Sequence, residues 1–167
     1  MYKIGIIGHG PEYFGADSEK IKRAIRDTIN LLGFQYGNND VIFNVAGEIG
    51  VGIWSLNQLY EYKFKYHLYL PYSIENTCEH WYEEQKETLR RASSKAYSIT
   101  CCYPGLEIKK SENNYYNFLV DNSNFVICFW IGKRQGKTYN AIRYSLENNK
   151  LILNGLNDLK LITNKDI

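Results

Sequence analysis

Glycines and cations crowd the stretch that follows the apolar run FVICFW. The stretch reads Gly132-Lys133-Arg134-Gln135-Gly136-Lys137-Thr138 and leads into a segment whose apolar residues have helical spacing. A glycine turn ahead of a helix presents backbone N–H groups and a partial positive charge to an anion. The pattern indicates a phosphate-facing turn. The alternative is that the lysine and arginine side chains are simply solvated.

The glycine spacing in this stretch argues against an ATP-binding P-loop. A Walker A loop places four residues between its glycines and ends in Gly-Lys followed by Ser or Thr. Here three residues separate Gly132 from Gly136, which is one too few to form the same cradle. Phosphate contacts are therefore expected from backbone N–H groups and from Lys133, Arg134 or Lys137.

Two further glycine turns follow apolar runs earlier in the chain. Gly8-His9-Gly10 closes the run KIGIIG, Gly47-Glu48-Ile49-Gly50-Val51-Gly52 follows VIFNVA, and Pro71 ends a third run, YHLYLP. Glycine lets the backbone approach a ligand closely, although any one of these turns could serve only to connect a strand with a helix. The second turn is not a dinucleotide-binding fingerprint, because its glycine spacing is reversed and it does not follow the first strand.

Apolar runs alternate with helical patterns along the whole chain. Continuous apolar strands separated by helices favour a parallel sheet covered on both faces. The carboxyl ends of such strands share one edge, so the turns should meet there. The predicted strands are KIGIIG, VIFNVA, YHLYLP, AYSITCC, FVICFW, KLILN and an added edge strand in LKLIT. The predicted helices run from Asp17-Ser18 to just before Gly33, through Trp54 to Tyr60, from Glu75 to Ser93, from Tyr115 to Asp121 and from Thr138 to Asn148, with a loop at Pro104-Gly105.

Length, charge and cysteine usage set the broad class. The 167 residues suit one domain over residues 1–167, and a formal net charge of +2 gives no support for nucleic-acid binding. The start, MYKIGIIGHG, reads as a strand rather than a secretory signal, and no apolar run approaches the ~18 residues of a membrane span, so a cytoplasmic protein is expected.

The cysteines form no C-x-x-C pair, so buried reduced thiols, and no zinc site, are predicted at Cys78, Cys101, Cys102 and Cys128.

Four blocks of the sequence carry a family resemblance that covers nearly the whole chain. They are IIGHGPEYFG, VAGEIGVGIW, LYLPYSIENTCEHWYEEQKE and YNFLVDNSNFVICFWIGKRQGKTYNAIRYSLENNKLIL. With these blocks the chain resembles the SLOG superfamily, the group of DprA-like and LOG-like Rossmannoid domains, and in particular its YpsA-like branch. The resemblance implies a single α/β domain of three layers, with a Rossmann-like, mainly parallel sheet and a nucleotide-type ligand at its carboxyl edge.

The last turn departs from the catalytic relatives. LOG-type enzymes, which cleave a base from a nucleoside monophosphate, carry Gly-Gly-x-Gly-Thr-x-x-Glu there. Aligning Gly136 places Lys137 at the Thr and Asn140 at the Glu. An amide cannot act as nucleophile or general acid/base in the way a carboxylate can. Tyr115 and Tyr116 likewise replace an Arg-Asn that the branch often has.

Two functions from different classes follow. The leading hypothesis is a binding module, a sensor or sequestering protein for a nucleotide or nucleotide-derived signal such as an ADP-ribose-like or cyclic nucleotide. The alternative is an N-glycosidase or phosphoribohydrolase of nucleoside monophosphates, in which Glu48 or Glu12 supplies the missing carboxylate. DNA binding by analogy with DprA is disfavoured by the near-neutral charge. No bound cofactor or metal is predicted, and a homo-oligomer is expected because relatives often complete the pocket from a neighbour, with Tyr60, Tyr62 and Tyr66 as candidate interface aromatics.

Individual side chains keep alternative roles at this point. Glu48 could bind a ribose hydroxyl, assist cleavage as the candidate catalytic residue, or cap the next helix. His9 could contact a phosphate or a base, or be a satisfied turn histidine, and Trp81 could stack on a base or belong to the core. Asp121 is expected to organise the site or cap a turn. The predicted ligand-binding residues are Gly8, His9, Gly10, Gly47, Glu48, Gly50, Trp54, Pro71, Trp130, Gly132, Lys133, Arg134, Gly136, Lys137 and Thr138.

Overall fold

The sheet at the centre of the molecule is almost entirely parallel. The computed structural model describes residues 1–103 and 115–167. Within these residues the strands are β1 (Tyr2–Gly8), β2 (Val41–Ala46), β3 (Tyr66–Leu70), β4 (Ser98–Cys101), β5 (Phe125–Phe129), β6 (Leu151–Asn154) and β7 (Lys160–Leu161). Their order is β4-β3-β2-β1-β5-β6-β7, and β7 alone runs antiparallel to its neighbour. The predicted parallel α/β sheet and its added edge strand are confirmed.

Helices cover both faces of the sheet and make three layers. They are α1 (Ser18–Tyr36), α2 (Val51–Glu61), α3 (Ile74–Thr77), α4 (Glu83–Ser93), α5 (Tyr115–Asp121) and α6 (Lys137–Glu147). One core packs α1, α2 and α4 against one face through residues such as Ile25, Leu56 and Leu89. The other core packs α5 and α6 against the opposite face through Leu119 and Ile142. The central strands are mostly apolar because both of their faces are buried.

Three predicted helix boundaries are wrong. Helix α1 continues through Gly33 to Tyr36, because Gly33 lies inside the helix against the ring of Phe64. The single helix predicted from Glu75 to Ser93 is two helices, α3 and α4, separated by residues 78–82. Gly52 belongs to α2 and does not precede it. The predicted loop at Pro104-Gly105 lies outside the described residues.

Two polar contacts attach α5 to its neighbours, away from the ends of the strands. The amide of Asn44, buried in β2, donates to the carbonyl oxygen of Asn122 and to the hydroxyl of Ser123, both at 3.0 Å. The hydroxyl of Tyr144 on α6 donates to the carboxylate of Asp121 at 2.9 and 3.0 Å. Asp121 therefore ties α5 to α6, and it lies outside the cavity wall described below.

The aromatic residues proposed for an interface differ in exposure. Tyr62 exposes 39 % of its surface, whereas Tyr66 is buried and donates its hydroxyl to the carbonyl oxygen of Ala92 at 2.6 Å. Tyr66 is therefore a core residue, which corrects the expectation that it could form an interface. Within residues 1–103 and 115–167, none of the helices is both long and apolar enough to cross a membrane.

The four thiols are all unpaired, but they are not all buried as predicted. Cys78 and Cys128 are buried, Cys102 is half-buried, and Cys101 is exposed at the end of β4. Burial raises the pKa of the Cys102 thiol to about 11 and that of Cys128 further still. Because the thiolate is the reactive form, a thiol reagent at about pH 8 should label Cys101 first in the native protein. Mass spectrometry of labelled peptides checks this order, and labelling of Cys128 at the same rate would contradict the structure.

Candidate functional site

A cavity of about 770 Å³ opens at the carboxyl edge of the sheet. The turns after β1, β2 and β3, the start of α6 and the start of α5 form its wall, together with the connection between α3 and α4. Three glycines from distant parts of the chain, Gly8, Gly47 and Gly136, meet there. The predicted site residues that line the cavity are Gly8, His9, Gly10, Gly47, Glu48, Pro71, Gly136, Lys137 and Thr138.

The turn after β2 uses half of its backbone donors within the fold. The N–H of Gly47 donates to the carbonyl oxygen of Tyr69, that of Glu48 to the carbonyl oxygen of Ala46, and that of Val51 to the carbonyl oxygen of His9 at 3.2 Å. The N–H groups of Ile49, Gly50 and Gly52 have no backbone acceptor among the described residues. This turn therefore meets the cavity through the Glu48 side chain and a few open amides.

The start of α6 leaves several backbone N–H groups available to a ligand. Gly136, at φ +88°, caps the helix without any side-chain hydrogen bond. Among the described residues, no acceptor lies within hydrogen-bond distance of the N–H groups of Gly136, Thr138 and Tyr139. The first turn of a helix leaves such donors to water or a ligand and carries a partial positive charge. The start of α6 thus brings open N–H donors and a partial positive charge to the cavity.

Glu48 lies between two donors from other parts of the chain. The ammonium of Lys137 donates to its Oε1 at 2.8 Å, and the hydroxyl of Tyr116 donates to Oε2. Both charged side chains are only partly exposed, 38 % for Lys137 and 23 % for Glu48. The contact joins the turn after β2 to the starts of α5 and α6. It fixes the carboxylate in place and neutralises the ammonium beside it.

Tyr115 and Tyr116 form the floor beneath this ion pair. They stand at the positions where the YpsA-like branch often has Arg-Asn, and both are buried. Burial, together with the negative charge of Glu48, raises the pKa of both hydroxyls well above its usual value. Both hydroxyls therefore stay protonated at neutral pH, so that Tyr116 can donate to Glu48. The Lys137 ammonium lies 6.0 Å from the centre of the Tyr115 ring.

His9 is the buried residue of the turn after β1. Its ring stacks on Tyr13 with centroids 4.6 Å apart, and the ammonium of Lys133 lies 4.5 Å from the centre of the Tyr13 ring. Its Nε2 is buried without a hydrogen-bond partner among the described residues. Burial, assisted by the charge of Lys133, lowers the pKa of His9 from 6.5 to about 4. His9 is therefore neutral at physiological pH.

The depressed pKa of His9 makes stability depend on pH. Between pH 6.5 and about 4 the unfolded chain binds a proton at this residue and the folded chain does not. Stability should therefore fall as the pH falls through this window, by about 2 kcal/mol for this residue at pH 4.5. His9→Phe keeps a ring against Tyr13 but has no group that binds a proton. Between pH 7 and 4.5 we expect its free energy of unfolding to fall by about 2 kcal/mol less than that of the natural protein. Urea unfolding at both pH values measures the difference, and equal losses would contradict the assignment.

The family assignment rests on a match along most of the chain. The family model described as the YspA SLOG family (YpsA) matches residues 14–161. The chain belongs to this SLOG family. Among curated proteins, no sequence matches significantly.

Solved structures share the fold at low sequence identity. DprA from Streptococcus pneumoniae aligns with a TM-score of 0.66 and 10 % identity, over 92 % of this chain and 50 % of its own. The molybdenum cofactor binding protein from Rippkaea orientalis gives 0.58 and 16 %, over 92 % and 75 %. The molybdenum cofactor carrier protein of Chlamydomonas reinhardtii gives 0.56 and 15 %, over 92 % and 75 %. The chain thus has the Rossmann-like SLOG fold, and spans half the length of the pneumococcal DprA.

Six of the predicted site residues do not line the cavity of this SLOG domain. Trp54 packs beside Phe14 under the ammonium of Lys22, on the side of α2 that faces α1. Trp130 is buried and donates its Nε1 to the carbonyl oxygen of Lys133 at 2.8 Å. Gly50, at φ +97°, lies against the backbone of His9, where a side chain would not fit. The others are Gly132, Lys133 and Arg134, which are exposed in the turn before α6.

Other lining residues were absent from the predicted set. The connection between α3 and α4 places several of them in the cavity wall. They were missed because the sequence predicted one continuous helix from Glu75 to Ser93. The cavity residues that the predicted set lacks are Pro11, Glu12, Tyr13, Ile49, Tyr72, Asn76, Thr77, Glu79, His80, Trp81, Tyr115, Tyr116 and Gln135. Two signals pointed to some of them: the Arg-Asn positions held by Tyr115 and Tyr116, and the stacking alternative for Trp81. In the parts of the chain that the structure describes, no cluster of three His, Cys, Asp or Glu residues could hold a metal ion.

Proposed function

We propose that the cavity binds a nucleotide or nucleotide-derived small molecule through its phosphate. The observation that carries the proposal is the open start of α6. There, N–H groups without an acceptor among the described residues adjoin the Lys137 ammonium inside a cavity. A phosphate placed at this point accepts hydrogen bonds from the backbone and meets the positive end of the helix. The volume of about 770 Å³ lies in the range of ordinary small-molecule sites.

The opposite end of the cavity suits the base of such a ligand. Tyr72, His80 and Trp81 line this end, with the polar side chains of Asn76 and Thr77 nearby. Aromatic rings stack on a purine or pyrimidine, and short polar side chains hydrogen-bond its edges. A ligand with an anion at one end and a planar ring at the other satisfies both ends of the cavity. Nucleotides have this form.

Binding without turnover fits the arrangement around Glu48 better than hydrolysis does. A nucleophile or general acid/base must be available to the substrate, but the Glu48 carboxylate already accepts hydrogen bonds from Lys137 and Tyr116. Asn140, at the position of the catalytic Glu in LOG-type enzymes, is exposed and lies outside the cavity wall. The protein would act as a sensor or sequestering protein.

Hydrolysis of nucleoside monophosphates is the second candidate, and one observation favours it. Glu48 is a carboxylate held in a fixed position inside the cavity, as a glycosidase requires. Release of free base from a nucleotide panel, abolished in Glu48→Gln, would establish this reaction in place of simple binding.

Isothermal titration against a panel of nucleotides tests the proposal. The panel should include AMP, GMP, cyclic AMP and ADP-ribose, with adenosine as the control that lacks phosphate. Binding of a phosphorylated member, with adenosine at least about tenfold weaker, supports a phosphate site. If no member binds at up to about 1 mM, the proposal fails. Two of the structural relatives are a molybdenum cofactor binding protein and a DNA processing protein. A molybdopterin compound and a single-stranded oligonucleotide are therefore useful further arms.

A further inference from the structure

Carboxylates outnumber basic side chains in the cavity wall. Glu12, Glu48 and Glu79 line it, whereas Lys137 is the lysine or arginine that does so among the described residues. The Lys137 ammonium is already paired with Glu48. His80 lies 3.6 Å from Glu79, so that any positive charge it takes on faces a carboxylate. These like charges disfavour a ligand that carries several negative charges, and because Glu12 and Glu79 are exposed, salt screens the repulsion.

Glu12 is an exposed carboxylate that lines the cavity. It belongs to the short turn Pro11–Tyr13 that follows β1. Its side chain folds back over Gly10, because a Cβ built on Gly10 would overlap the Glu12 carboxylate. The neighbouring Tyr13 hydroxyl lies 3.5 Å from the place where a Cβ on Gly136 would stand. The turn after β1 and the start of α6 are therefore adjacent, and the chain's own carboxylate covers the first of them.

The cations near this turn do not offset Glu12 inside the cavity. The Lys133 ammonium lies over the ring of Tyr13 rather than in the cavity wall. Arg134 is exposed, with its guanidinium 3.5 Å from the carbonyl oxygen of Asp166. His9 is neutral because burial lowers its pKa to about 4. A second phosphate beside the turn after β1 would therefore meet the Glu12 carboxylate, while the one ammonium in the described part of the cavity wall, that of Lys137, is paired with Glu48.

We infer that Glu12 determines specificity by restricting the cavity to ligands with one phosphate group at the start of α6. A phosphate monoester or a cyclic phosphodiester fits this description, and a diphosphate does not. The inference rests on the proposed function insofar as the same cavity is the anion site. Removing the charge of Glu12 while keeping its size opens the turn after β1 to a second phosphate.

The role of Glu12 can be tested by titrating the protein with inorganic phosphate and with pyrophosphate. Binding is followed in NMR spectra through the amide resonances of Gly10, Gly136 and Thr138. Both probes lack a base, so the experiment does not depend on knowing the nucleotide. We expect the natural protein to bind phosphate at least as tightly as pyrophosphate. Glu12→Gln should then bind pyrophosphate about tenfold more tightly than before, with less gain at about 0.5 M salt. The matched control is Glu87→Gln, which removes the same charge from an exposed position on α4 outside the cavity and should leave both affinities unchanged.

Each outcome decides the matter. Tenfold or greater preference for pyrophosphate in the natural protein overturns the inference, as does an equal gain in Glu12→Gln and Glu87→Gln. It also fails if neither anion shifts the three resonances at about 20 mM. If phosphate and pyrophosphate bind as expected but no nucleotide binds, the proposed function fails and the inference about Glu12 stands. An affinity for ADP about tenfold or more above that for AMP would defeat this inference and leave the proposed function standing.

Discussion

Lys137→Met is expected to weaken nucleotide binding about 100-fold, which corresponds to about 2.7 kcal/mol. The substitution removes the ammonium from the cavity wall and leaves the Glu48 carboxylate with its Tyr116 hydrogen bond. An incoming phosphate then loses a charge-assisted hydrogen bond, worth about 1.5–3 kcal/mol, and faces an unneutralised carboxylate. Isothermal titration with the tightest nucleotide of the panel measures the loss.

Two comparisons separate the role of the charge from a general effect of the substitution. Lys95→Met removes a lysine from an exposed position outside the cavity and should change the affinity less than about twofold. Adding Glu48→Gln to Lys137→Met removes both members of the pair and should recover about tenfold of the loss, because the repulsion disappears. Equal affinities of Lys137→Met and Lys95→Met would show that Lys137 does not contact the ligand.

Gly52→Ala is expected to destabilise the fold by about 3–5 kcal/mol, although alanine is the better helix former. Gly52 lies in the first turn of α2, and a methyl group there would overlap the carbonyl oxygen of Ala46 at the end of β2. Both groups belong to rigid backbone, so the helix must move away from the strand. Urea unfolding monitored by circular dichroism gives the change in free energy.

Gly33→Ala provides the matched control in α1. A methyl group at Gly33 would meet the ring of Phe64, a buried side chain, so the cost is that of overpacking a side chain rather than of moving backbone. We expect a loss of about 1–2 kcal/mol there, clearly below that of Gly52→Ala. If Gly52→Ala proves as stable as the natural protein, the close approach of α2 to β2 is not as the structure has it.

The fold was predictable from the sequence because both faces of the central strands are buried. Continuous apolar runs such as VIFNVA leave little choice other than a parallel strand covered by helices, and all six residues of β2 are buried. Helix ends were less predictable, because tertiary packing decided them. Gly33 lies within α1, and the helical pattern from Glu75 to Ser93 is interrupted by a connection that the cavity uses.

The candidate site was predictable at the level of its turns and not at the level of its hydrogen bonds. Three glycine turns meet at one edge because parallel strands end there. The sequence could not show which backbone donors of the turn after β2 are used within the fold, nor which donors at the start of α6 are open among the described residues. Nor could it show that Lys137 turns toward Glu48, which lies 89 positions earlier in the chain. Such pairings depend on the tertiary fold and have no local signal.

The sheet order has a consequence for how the protein is made. Strand β1, the central member, pairs with β5, so that Ile4 stands beside Phe125. Pairings between such distant segments form slowly, because the chain must lose the entropy of closing a long loop before the contacts stabilise it. On the ribosome, the first four strands can associate early, but the turn after β1 must wait for about 130 further residues before it meets α6. The proposed anion site should therefore form only in the last stage of synthesis.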